Sequence, residues 1–188
     1  MKTFQRRSFL RAAGSAVSSF AFAPSDAVQD PQAKLTPSRK IGVVGRGEDR
    51  LGKLRNVGVS QTSFKVSTEE TRGDLFVMEN VIVKRGGPPL HLHHNEDEYF
   101  YVVEGDFVME IGGQRFNLKA GDSILGPRKV PHAYAFIGES PGRLLISYAP
   151  ANKMQEYFAT RGEGQKYSSD AERFRAYGME LLGPPIHL

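Results

Sequence analysis

A chain of 188 residues, 39% hydrophobic and 10% aromatic, is long enough for one domain with a sizeable buried core, or for one domain plus extensions. It contains no cysteine, which excludes disulfides, thiolate metal sites and a cysteine nucleophile, so any metal must be held by nitrogen and oxygen. The pI near 9.3 does not mark a nucleic-acid protein: Lys2, Arg6, Arg7 and Arg11 against Asp26 supply most of the net +4, leaving about +1 for the rest.

Residues 1–27, MKTFQRRSFLRAAGSAVSSFAFAPSDA, set a basic start before a mildly apolar run and then small residues. This is the anatomy of an export signal, too short and too weakly apolar for a spanning helix; an amphipathic N-terminal helix is the alternative. Within it QRRSFLR resembles the twin-arginine motif, with Arg6 and Arg7 followed by Phe9, Leu10 and Arg11, although Gln5 replaces the usual Ser or Thr. Cleavage after Ser25 or Ala27 is expected, giving a periplasmic or secreted protein exported folded, with no stable membrane anchor once the signal is removed. Residues 28–54 read as an N-terminal arm that opens on the polar, proline-containing VQDPQAKLTPSRK. Gly45-Arg46-Gly47 reads as a turn rather than a phosphate loop, because no third glycine and no helix pattern follow.

Residues 55–150 have the texture of β-structure. NVGVSQTSFKVS and DLFVMENVIVKRG alternate, are rich in Val, Ile and Phe, and are separated by the polar TEETRG. EYFYVVEG, DFVMEI, QRFNL, DSILGP, HAYAFI and RLLISYA continue at turn-marked intervals, and Gly112-Gly113 between two of them signals a tight hairpin. About eight short strands predict an all-β sandwich or small barrel rather than alternating β–α units. Residues 151–188 change character and predict a C-terminal helical extension. There Ser169 or Asp170 is a plausible N-cap, Gly178 lies near a helix end, and GPPIHL closes the chain in an extended form.

The chemistry concentrates in HLHHNEDEYFYVVEG, where three of the chain's five histidines fall within four positions. Residues two apart on a strand share a face, so His91 and His93 face together. Glu98 follows across the polar turn HNED, and an antiparallel return strand would bring it back beside the pair. Two imidazoles and a carboxylate suit a divalent transition metal (Fe, Mn, Ni, Co, Cu or Zn) with open coordination positions. His132, in GDSILGPRKVPHAYAF, is a fourth candidate, because the intervening hairpin of residues 106–120 can return the chain to the same wall. His94 faces the other way, Glu96 and Asp97 read as turn residues, Glu104 falls outside, and His187 is expected to be exposed.

By the same parity Glu98 shares its face with Phe100 and Val102, and His132 with Tyr134 and Phe136, while Phe107 and Met109 alternate against Val108 and Glu110. Filling a barrel core accounts for any one of these. Together they predict a pocket for a small apolar or aromatic molecule.

These residues resemble the two motifs of the cupin superfamily. His91, His93, Glu98 and Gly105 match the first motif, with Gly86 one position off its leading glycine; Gly121, Pro127 and His132 match the second. Lys129 stands where the inner glycine of that motif is usual, and Phe136 where asparagine is usual. The resemblance implies a jelly-roll cupin barrel, a metal on His91, His93, Glu98 and His132, and a homodimer. GGPPLHLHHNEDEYFYVVEG and the terminal LLGPPI look like single-domain flavonol (quercetin) 2,3-dioxygenases. That likeness implies a metal that acidifies an enol or phenol, Glu98 as the general base, and incorporation of dioxygen. Two rival readings are a cupin isomerase or lyase, for which Tyr134 is the one extra inward acid–base group, and a non-catalytic, metal-stabilised binding protein.

Overall fold

The alternating runs from Arg55 onward form strands in the computed structural model, which describes residues 42–139, 141–160 and 171–188. The expected export signal, residues 28–41 of the arm and the Ser169/Asp170 cap lie outside the described residues. The strands are β1 (Arg55–Val57), β2 (Ser60–Val66), β3 (Phe76–Ile82), β4 (Pro89–His93), β5 (Asp97–Glu104) and β6 (Phe107–Ile111). They continue as β7 (Gln114–Leu118), β8 (Ser123–Gly126), β9 (His132–Phe136), β10 (Gly142–Ala149) and β11 (Met179–Pro185). Three short helices punctuate them: α1 (Thr68–Thr71), α2 (Met154–Ala159) and α3 (Ala171–Ala176).

The strands form two antiparallel sheets, ordered β1-β2-β3-β10-β5-β8 and β11-β4-β9-β6-β7, in the jelly-roll arrangement. Parity decides what faces inward. On β5, Glu98, Phe100 and Val102 are buried while Tyr99, Tyr101 and Val103 turn outward. Phe64, Phe76, Phe107 and Leu144 fill the interior between the sheets. The hairpin joining β6 to β7 closes on the pair Ile111↔Gln114, with Gly112 at φ 59° and Gly113 at φ 79°. Both central residues of this tight turn need positive φ, which glycine adopts without a Cβ penalty.

Ahead of β1, the irregular residues 42–54 are pinned by Asp49. Its carboxylate accepts from the backbone N–H groups of Phe64 (2.6 Å) and Leu51 (2.8 Å) and pairs with Arg55 at 2.7 Å. The Arg55 guanidinium in turn lies 3.6 Å above the Phe64 ring. Burial by itself would raise the Asp49 carboxyl, but the N–H donors of Phe64, Lys53 and Leu51, with Arg55, hold it below the ordinary 3.8.

Two expectations need correction. The C-terminal part is not a helical extension throughout: after Gly178, at φ 80°, the chain leaves α3 and β11 joins the five-stranded sheet beside β4, pairing Met179 with His93 and Leu181 with His91. The short run MELL fits a helix or a strand equally well, and the free edge of β4 decides. The polar TEETRG separates β2 from β3 and closes as one helical turn, with Ser67 N–H donating to Glu70 at 2.9 Å. HNED does not fold β5 back onto β4. It carries the chain from one sheet to the other, because β4 and β5 belong to different sheets. No helix among the described residues is long and apolar enough to cross a membrane.

Candidate metal centre

His91 on β4 and His132 on β9 are direct partners across the ladder, and His93 lies two residues further along β4, on the same face. Glu98 reaches them from the facing sheet, so the four side chains meet across the barrel interior rather than along one wall. All four are buried, and one ligand atom from each lies within 4.8 Å of all the others. Glu98 Oε2 sits 2.9 Å from His132 Nε2, 3.0 Å from His93 Nε2 and 4.0 Å from His91 Nε2.

The far sides of the rings fix which nitrogen faces the centre. His91 Nδ1 donates to the Pro89 carbonyl at 2.8 Å and His132 Nδ1 to the Val130 carbonyl at 2.9 Å. A carbonyl only accepts, so in both rings Nδ1 carries the proton and Nε2 is turned inward. His93 Nδ1 meets the Glu96 carboxylate at 2.8 Å, leaving Nε2 buried without hydrogen-bond geometry to any partner. A fully buried nitrogen left in this way, beside two imidazoles and a carboxylate, fits a cation at the centre. The set is a site for one divalent transition metal.

The electrostatics follow from burial and proximity. Burial, with His132 and His93 nearby, depresses His91 to about 3. Burial also works against charge on His93, yet Glu96 and Glu98 outweigh it and raise that ring to about 9. Burial would raise Glu98, but the His132 and His93 rings beside it prevail and hold it well below the usual carboxylate range. The cluster therefore keeps an anionic oxygen and a neutral imidazole ready for a cation, which would replace the proton on His93.

Sequence reasoning missed two supporting residues. Glu96, read as a turn acid, is 1% exposed and locked between His93 and Asn152, whose Nδ2 donates to it at 2.9 Å. Tyr148 on β10 donates from its hydroxyl to Glu98 Oε1 at 2.7 Å. The inward parity of RLLISYA could have found Tyr148, but its partner lies 50 residues away in the chain. The Lys129 departure from the motif is accommodated: Lys129 adopts φ 64°, the left-handed conformation that favours glycine, and its N–H donates to the His93 carbonyl. Gly126 pairs with Glu98, and a Cβ there would stand 3.3 Å from His132 Nδ1. The remaining polar residues are peripheral. His94 is exposed near Glu180, and Asp97 pairs with Arg128 at 2.7 Å, whose hydrogen bonds lower it to about 2.

The centre opens into a narrow cavity whose free volume, about 20 Å³, takes one water-sized group. Of the six expected pocket residues, Tyr134 lines it. Phe100 packs under the His132 ring at 6.0 Å, and Val102, Phe107, Met109 and Phe136 belong to the hydrophobic core without lining the cavity. Parity puts all six inside; it carries no information on depth along the barrel. The other walls are Met78, Asn80 and Ile146 from β3 and β10, with Met154, Tyr157, Phe158, Phe174 and Met179 from the C-terminal segment.

Residues 78–148, which include all four candidate ligands, match the family model described as a cupin domain. The chain is 39% identical over 62 residues to an uncharacterised protein, MJ1618, of Methanocaldococcus jannaschii, covering 32% of this chain and 50% of that protein. It is 26% identical over 106 residues to quercetin 2,3-dioxygenase of Bacillus subtilis, covering 54% of this chain and 30% of that one. The chain thus spans half or less of the length of the curated relatives it matches. Among solved structures, KdgF from Halomonas sp. aligns with a TM-score of 0.51 at 20% identity, over 58% of this chain and 94% of that chain, a likeness of fold.

Proposed function

Taking residues 78–148 as a cupin domain that holds one divalent transition metal, we infer that this protein is a dioxygenase acting on a small apolar or aromatic enolisable molecule of the flavonol type. The observation that carries the reading is the buried set His91, His93, Glu98 and His132 facing a cavity walled by methionines and aromatic rings. Among the described residues, that lining contains no lysine or arginine. A small dianion or sugar phosphate would find no fixed cationic side chain there, whereas an aromatic enol would meet ring faces and thioethers. The similarity to quercetin 2,3-dioxygenase supports the same direction.

When bound, the metal supplies Lewis acidity that lowers the pKa of a hydroxyl placed against it. Glu98 is the residue placed to receive that proton. Its Oε1 is steadied by the Tyr148 hydroxyl and its Oε2 faces the imidazoles, so the carboxylate cannot swing away from the centre. Asn80 Nδ2 donates to the Tyr134 hydroxyl at 3.2 Å on the cavity wall, providing a polar edge to orient a bound oxygen atom. Met154, Tyr157, Phe158 and Phe174 shield the centre from bulk water. The twin-arginine-like start adds export of the folded protein to this reading.

The narrowness of the cavity favours one alternative, a metal-stabilised binding protein without turnover. Elemental analysis followed by an oxygen-electrode screen of flavonols and catechols separates the two. The dioxygenase reading expects oxygen uptake that disappears in His91→Ala and His132→Ala. Bound metal with no uptake across the screen would leave the binding protein, and purified protein without transition metal would sink both.

A further inference from the structure

Glu96 is the buried acid that the metal-holding set does not use. It sits on the link between β4 and β5, is 1% exposed, and touches the centre only through a ligand. Its Oε1 accepts from His93 Nδ1 at 2.8 Å and its Oε2 accepts from Asn152 Nδ2 at 2.9 Å. A carboxylate this deeply buried persists where its partners are fixed, and both partners here have a second task. His93 points its other nitrogen at the centre. Asn152, in the left-handed region at φ 42°, turns the chain into α2, whose Met154, Tyr157 and Phe158 roof the cavity.

We propose that Glu96 is a positioning residue that sets the His93 ring toward the metal and, through Asn152, couples metal binding to the seating of α2 over the cavity. A carboxylate on the outer nitrogen of a metal-bound imidazole fixes the ring's tautomer and orientation and raises its basicity. Because the same carboxylate holds Asn152, a cation that draws Glu96 and His93 into register steadies the start of α2. By reciprocity, a loosened α2 weakens the cation by an equal factor. The roof is thus tied to the metal, and access to the cavity depends on loading. The inference rests on His91, His93, Glu98 and His132 holding a divalent metal.

The test uses the full chain with Zn²⁺ in chelator competition, Co²⁺ absorption spectra, and hydrogen exchange across residues 152–159. Glu96→Gln keeps the shape and removes the charge; it is expected to bind Zn²⁺ about 10–100-fold more weakly and to shift the Co²⁺ bands. His94→Ala, altering an exposed ring on the same link, is expected to match the wild type in both. In the wild type Zn²⁺ slows exchange across 152–159. In Asn152→Ala that slowing shrinks, and Zn²⁺ affinity drops by the matching factor. Glu96→Gln binding within twofold of wild type with unchanged Co²⁺ bands overturns the positioning role. Exchange in α2 indifferent to Zn²⁺ overturns the coupling, and this arm stands even if Glu96→Gln does not fold. A wild-type chain that binds neither ion brings down the metal reading itself, an outcome distinct from either.

Discussion

Replacing Tyr148 by phenylalanine deletes one hydroxyl and leaves the ring's packing in place. The ring is 2% exposed, stacks 5.9 Å from Phe76 at an interplanar angle of 17°, and lies 6.1 Å from Phe158, none of which needs the oxygen. The hydroxyl donates at 2.7 Å to Glu98 Oε1, and Glu98 is 3% exposed, so bulk water does not replace the lost donor and the adjoining cavity has room for one water-sized group at most. A hydrogen bond to an ionised carboxylate is worth about 1.5–3 kcal/mol, and an acceptor stranded in the interior adds its desolvation. Metal-free Tyr148→Phe is therefore expected to be about 2 kcal/mol less stable in urea unfolding, with an unchanged denaturant slope because the buried surface is the same. In thermal unfolding the same loss corresponds to roughly 4–8 °C for a chain of this size. A loss below about 0.5 kcal/mol, within the range of ordinary surface substitutions, would refute the claim that this hydroxyl holds Glu98 in solution.

Chelation with EDTA should lower the melting temperature of the loaded protein, and adding Zn²⁺ at 100 times its dissociation constant should restore about 2.7 kcal/mol; a melting curve indifferent to both would contradict a metal at His91, His93, Glu98 and His132. Asp49, whose carboxyl is held below 3.8 in the folded chain, contributes stability that is present above pH 3.8 and lost as the pH falls through its folded value. Urea midpoints measured from pH 5 downward should show that loss in the wild type, and a smaller one in Asp49→Asn. Gly87→Ala would drive a Cβ into the Tyr134 carbonyl oxygen, so the strand entrance must move; a loss of about 3 kcal/mol or more, or failure to fold, is expected in thermal unfolding.

Much of the centre was legible because its signals are local. His91 and His93 share a strand face whatever surrounds them, and the alternation DEYFYVVE fixes which side of β5 carries Glu98. Gly112-Gly113 announced its hairpin because two consecutive positive φ values leave few other residues free to sit there. What was illegible is non-local. Nothing in HNED says that the link changes sheets, so Glu96 looked like a solvated turn acid rather than a carboxylate lodged between His93 and Asn152. MELL carries no periodicity long enough to separate helix from strand, and the vacant edge of β4 made the choice.

The same non-locality decides what the centre can accept. Met154, Tyr157 and Phe158 of α2, Phe174 of α3 and Met179 of β11 line the cavity beside the centre, and Phe174 stands edge-on to His91 at 5.8 Å. These side chains come from the part of the chain that lies outside the matched cupin residues 78–148. The four metal-facing side chains thus lie within residues 78–148, whereas the cavity is shaped by that stretch, through Met78, Asn80, Tyr134 and Ile146, together with the C-terminal segment. The C-terminal share of the lining consists of methionines and aromatic rings, side chains that can repack around different guests. A guest larger than the free volume of about 20 Å³ must displace part of this lining, to which Met154, Tyr157, Phe158, Phe174 and Met179 contribute from the C-terminal segment.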